Sequence, residues 1–159
     1  MKIIACVDDD FGMAFNKRRQ SRDCTVIEQI LKNTDGRKLW MNSYSQELFE
    51  PCENILVDDN FLEKAQDDDF CFVENVDLQN YEDRINEVIL FFWNRRYPSD
   101  IKFEIDLEDW ESSGETEFEG KSHEKITQKI YRRKQEWEEK IQVRRKILNK
   151  ITPHYRLLL

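Results

Sequence analysis

Lys2-Ile3-Ile4-Ala5-Cys6-Val7 runs directly into Asp8-Asp9-Asp10-Phe11-Gly12. A short apolar run of strand length, stopped by turn chemistry, reads as a first strand buried on both faces. A second run, Val88-Ile89-Leu90-Phe91-Phe92-Trp93, is more apolar still and reads the same way. Such strands need cover above and below, which is the habit of parallel sheets.

Between these runs the chain alternates. Asn16–Arg22 is a polar, basic loop; Ser21 is the expected N-cap of a helix over 22–33, with Val26, Ile27, Ile30 and Leu31 at helical spacing, and Gly36 punctuates it. Lys38–Asn42 reads as a strand, Ser45–Phe49 as a short helix, Asn54–Val57 as a strand, Phe61–Ala65 as a helical turn and Phe70–Glu74 as a strand. Leu78–Val88 reads as helical, with Leu78, Tyr81, Ile85 and Val88 on one face. The alternation predicts an α/β fold with a mainly parallel central sheet and flanking helices.

The character changes after Asp100. Lys102–Ile105 and Gly114–Glu119 read as late antiparallel elements, and residues 124–133 fit either a last strand or the start of a helix. Lys134–Thr152 reads as a helix with Trp137, Ile141, Leu148 and Ile151 on one side, stopped by Pro153. Three prolines, four glycines and no repeat leave one domain over residues 1–133 with a basic helical tail over 134–159.

Charge separates the same two parts. Residues 1–120 carry 13 Lys/Arg against 29 Asp/Glu, and residues 121–159 carry 12 against 4, so a net of −8 hides −16 and +8. A basic tail on an acidic body suits an acidic face, its own or a partner's, or a polyanion. The N-terminal apolar run is too short for a signal peptide, and no run approaches membrane-spanning length. A cytoplasmic setting with reduced cysteines is the expectation. Cys6, Cys24, Cys52 and Cys71 form no CxxC pair, and His123 and His154 are isolated, so zinc is not expected. Asp8-Asp9-Asp10 reads as a solvated turn rather than a metal site, and Ser122-His123-Glu124 as an element start rather than a triad. Phosphate-binding glycine motifs and the HExxH and GxSxG motifs are absent.

Three stretches in order resemble dihydrofolate reductase: Ile4–Asn16 (IACVDDDFGMAFN), Leu39–Phe49 (LWMNSYSQELF) and Asp100–Glu119 (DIKFEIDLEDWESSGETEFE). They look like that family's first strand and following loop, its second strand and phosphate-binding helix start, and its D-T-x-F-P…D-W-E segment. Lys129–Arg133 would end the last strand. The resemblance implies a dihydrofolate-reductase-like domain over residues 1–133, closing on a late antiparallel hairpin, with the C-terminal helix added. It carries the family's pterin-side carboxylate to Asp23 as the catalytic residue, should the chain be a reductase.

The departures fall on the cofactor side. The family's Gly-Arg-x-Thr is Asn42-Ser43-Tyr44-Ser45 here, which loses the arginine for a 2′-phosphate and keeps one hydroxyl at Ser45. The family's Gly-Gly pair is Glu74-Asn75, which sets a carboxylate where pyrophosphate would approach. No cofactor is therefore expected, with NADPH reserved for a reductase of a pterin-like substrate. What remains is two arginine loops. Lys17, Arg18, Arg19 and Arg22 form one; Arg95 and Arg96, with Trp93 and Tyr97, form the other. Guanidinium forks suit phosphate and aromatic rings suit bases, so these residues and Ser45 are expected to bind an anionic nucleotide-like ligand or RNA. Pairing of the arginines with the chain's own carboxylates is the competing expectation. A third reading makes the chain an interaction module whose tail docks on a second copy, as a homodimer, or on an acidic protein.

Overall fold

The computed structural model describes residues 1–150, without the side chains of 135–138. In chain order the elements are β1 (Lys2–Val7), β2 (Gly12–Phe15), β3 (Arg18–Arg19), α1 (Cys24–Thr34), β4 (Leu39–Met41), α2 (Ser43–Gln46), β5 (Ile55–Val57), α3 (Phe61–Lys64), β6 (Phe70–Phe72), a 3-10 helix (Gln79–Arg84), β7 (Glu87–Phe92), β8 (Ile101–Lys102), β9 (Trp110–Phe118), β10 (Ile126–Arg133) and α4 (Gln135–Lys150). Seven strands form one sheet in the order β5-β4-β6-β1-β7-β10-β9. The first five of that row are parallel, and β10 and β9 close it as an antiparallel pair. A second small sheet has the order β3-β2-β8.

The central strands are apolar on both faces because both are covered. Ile3, Ala5 and Val7 of β1 join one core with Phe61, Leu90, Phe103 and Trp110. Ile4 joins the other with Val26 and Ile30 of α1, Phe91 and Ile126. The alternation of neighbours to opposite faces is the period of two that any strand imposes.

Several boundaries differ from expectation, each for a local reason. The basic loop over 16–22 is a hairpin, with Asn16 (φ 49°) and Lys17 (φ 63°) as its turn between β2 and β3. Two successive positive φ values match the twist of the flanking strands. The N-cap of α1 is Asp23 rather than Ser21: its backbone is extended, and its carboxylate accepts the Thr25 N–H at 2.8 Å. The helix expected over 78–88 reduces to the 3-10 turn Gln79–Arg84, since Glu87 and Val88 pair with β1. Phe103 and Ile105 are buried without being strand; only Ile101 and Lys102 pair, and they pair with β2. Residues 126–133 are strand throughout, which settles the open alternative there. The tail is helical through Lys150, while Ile151, Thr152, Pro153, His154 and the side chain of Trp137 lie outside the described residues. No helix among the described residues is long and apolar enough to cross a membrane.

Candidate functional site

The parallel strands end on one side of the sheet, and their next residues are Asp8 after β1, Asn42 after β4, Val73-Glu74 after β6 and Trp93-Asn94 after β7. Ligands of open parallel sheets collect beyond this edge. Three buried carboxylates organise it here.

Asp8 is fully buried and makes four hydrogen bonds. Its Oδ1 accepts the N–H groups of Asp10 (2.9 Å) and Gly12 (2.8 Å); its Oδ2 accepts Gln20 Nε2 (3.2 Å) and the Tyr97 N–H (3.0 Å). One side chain therefore joins the β2–β3 hairpin to the loop after β7, helped by the Asp9 N–H donating to Arg95 O at 3.0 Å. Gly12 lies in this seam, where an added Cβ would sit 2.6 Å from Ser99. The aspartate run is thus a turn as expected at Asp9 and Asp10, which are exposed, while Asp8 serves as its anchor.

Glu74 is the second. The Arg19 guanidinium forks onto it, Nε to Oε2 at 2.9 Å and Nη2 to Oε1 at 3.2 Å, and Ser45 Oγ donates to Oε1 at 2.8 Å. Arg19 also donates to Tyr44 O at 3.2 Å, lies 4.4 Å from the centre of the Tyr44 ring, and reaches the exposed Glu47 through Nη1. Burial alone would lower the Arg19 pKa; the hydrogen bonds to Glu74 and Glu47 override it and raise the value.

Asp23 is the third. Besides Thr25, it accepts through Oδ2 the N–H groups of Lys121 and Ser122 and the Ser122 hydroxyl, at 2.7, 2.7 and 2.8 Å. Burial pushes its carboxyl up, but the bonds from Ser122, Thr25 and Lys121 outweigh this and hold it below the usual carboxylate range. The chain of contacts continues from Ser122 Oγ to His123 Nδ1 (2.7 Å) and from His123 Nε2 to the Tyr97 hydroxyl (2.6 Å). With Ser122 donating to Asp23, Nδ1–H donates to Ser122 and Tyr97 donates to Nε2, which fits a neutral imidazole. Burial, and next the Arg95 charge, keep the His123 pKa below its ordinary value. Trp93 is buried and stacks on His123 with ring centres 4.8 Å apart.

A narrow cavity of about 20 Å³, room for roughly one water, lies between these groups and is lined by Cys6, Arg19, Gln20, Asp23, Phe72 and Trp93 among others. Gln20 Oε1 is buried without a hydrogen-bond partner among the described residues. Burial drives the Cys6 thiol pKa far up, which keeps it protonated and unreactive. Cys24 is exposed. No group of His, Cys, Asp and Glu among the described residues is placed to hold a metal ion.

The structure thus brings both arginine loops to one edge and divides their cations. Arg19 is committed to Glu74 and Glu47. Arg96 pairs with Asp10 at 3.0 Å, both exposed. Arg22 is exposed and donates to Glu47 O at 3.1 Å. Lys17, Arg18 and Arg95 are exposed and make no ion pair among the described residues. Tyr97 is partly buried in its bond to His123, and Ser45 is fully buried on Glu74. Sequence reasoning passed over the roles of Asp8 and His123. A signal existed for Asp8 alone, as an acid between a buried strand and a glycine turn. No protein-family model matches the chain, and no curated protein matches it.

Proposed function

We propose that this chain is a dihydrofolate-reductase-like binding protein without ordinary reductase activity, which takes an anionic nucleotide-like ligand at the rim formed by its two arginine loops. The observation that carries the reading is the seam at Asp8. It ties the loop that carries Lys17, Arg18 and Arg22 to the loop that carries Arg95, at the carboxyl edge of the parallel strands. Exposed guanidinium groups on loops joined at that edge suit phosphate oxygens.

The absence of reductase activity rests on the groups that the resemblance assigns to cofactor and pterin. Glu74 and Ser45 are spent on each other and on Arg19. Asp23 is saturated by four donors and held ionised, a poor state for passing a proton to a bound ring.

The test is titration of the protein with ATP, NADPH and a short RNA at low salt, followed by tryptophan fluorescence and melting temperature. ATP is expected to bind in a salt-sensitive way, and the paired change Arg18→Glu with Arg95→Glu to weaken it by roughly tenfold or more. NADPH oxidation across a panel of pterins is expected to be nil. Unaltered ATP binding in the paired variant sinks the proposal. RNA binding far tighter than ATP redirects it to a polymer.

A further inference from the structure

Arg19 is built like a ligand-binding arginine yet is occupied from within. Its side chain is 14% exposed, so it is already ordered and largely dry. Nε and Nη2 face the buried Glu74, Nη2 also meets Tyr44 O, and the guanidinium lies against the Tyr44 ring. That leaves Nη1 as the donor turned outward. Its partner is Glu47, whose side chain is 57% exposed. The second guanidinium of the same loop, Arg22, is anchored on the backbone carbonyl of that same residue.

We infer that Glu47 is an internal stand-in for the ligand's anion, and that the rim's primary subsite takes a phosphate or carboxylate group on Arg19 Nη1 and Arg22 when Glu47 swings away. The inference rests on the binding function proposed above and names where its anion sits. The asymmetry between the two acids supports it. Glu74 is buried, receives the guanidinium fork and a serine hydroxyl, and cannot leave without stranding Arg19. Glu47 must order a solvated side chain to make its contact, and contacts of that kind are weak and exchange readily with solvent anions. A phosphate arriving at Nη1 finds a planar donor already oriented by Glu74 and Tyr44, so little ordering is left to do. Glu47 then lowers affinity twice, by occupying the donor and by repelling the newcomer.

The consequence runs against the usual result of altering a binding site. Glu47→Gln is expected to tighten ATP binding at low salt by roughly threefold or more. Adding Arg22→Gln to that variant is expected to remove the gain. Glu50→Gln, an exposed acid close by in sequence, controls for net charge and is expected to leave affinity where it was. Isothermal titration with ATP, and with inorganic pyrophosphate in parallel, reads all three. Unchanged or weaker binding by Glu47→Gln overturns the inference, as does an equal gain in Glu50→Gln or a gain that survives Arg22→Gln. If the wild type binds and Glu47→Gln adds nothing, the subsite fails while the binding function stands. If neither binds either probe, both fall.

Discussion

The carboxyl edge of the sheet and the helix α4 are both rich in charge, and the charges do different work. At the edge, Asp8, Asp23 and Glu74 are buried, and donors from separate loops converge on each. On α4, Arg145 pairs with Asp67 at 3.0 Å with both side chains more than half exposed, and Val143 and Ile147 face solvent. A buried carboxylate with several donors fixes loop positions because each donor is stranded without it. An exposed pair on a helix decorates a contact that other forces must supply.

Removing anchors one at a time breaks this comparison where it is strongest. Asp8→Ala strands two backbone N–H groups in the β1–β2 turn, the Gln20 amide and the Tyr97 N–H, and is expected to cost about 3 kcal/mol or more of unfolding free energy in a urea melt. A loss under roughly 1 kcal/mol would mean that water replaces the carboxylate and that the two arginine loops are not held by it.

Asp23→Ala is expected to cost about 2 kcal/mol at neutral pH, from a lost helix cap and stranded N–H groups at Lys121 and Ser122. It also sharpens the comparison through pH. A carboxyl held low in the folded state contributes stability above its unfolded pKa of about 3.9 and loses it as pH falls through the folded value. The wild type is therefore expected to lose stability below about pH 4, and the variant to lose less there. His123 acts earlier. Its folded pKa lies below about 6.5, so the unfolded chain takes the proton first, and stability declines as pH falls from that point toward the folded value. Melts from pH 7 to 3 on both proteins read the two limbs; a limb of unchanged depth below pH 4 in Asp23→Ala would contradict the assignment.

Arg145→Ala is expected to shift stability by less than about 0.5 kcal/mol. A larger loss in the same urea assay would make α4 part of the body rather than an appendage to it.

The frame of this molecule was legible where packing leaves a mark on composition. Val88–Trp93 and Lys2–Val7 are apolar because both faces of the sheet are covered, and both are central strands. The Val26/Ile30 spacing announced α1. Short polar elements left no such mark. Arg18 and Arg19 look like any solvated loop, and their strand character depends on β2 lying beside them, itself held by Ile101 and Lys102 far along the chain. The candidate site was legible as a list of cations and illegible as a sorting of them. Arg18 and Arg19 are adjacent and chemically identical, yet one is exposed and the other is clamped by acids 28 and 55 residues away. No local pattern carries that distinction. Ser122-His123 likewise gains meaning only because the β9–β10 loop reaches the first turn of α1.

The place of β1 in the sheet also sets an order of events during synthesis. It precedes the other six strands of the large sheet in the chain and lies in the interior of the row, pairing with β6 from Lys2↔Phe70 and with β7 from Lys2↔Glu87. This apolar segment therefore has no strand partner in the large sheet until its distant neighbours have been made, and contacts of such long separation close slowly. For that interval Ile3, Ile4 and Val7 lack their sheet neighbours and are open to a chaperone.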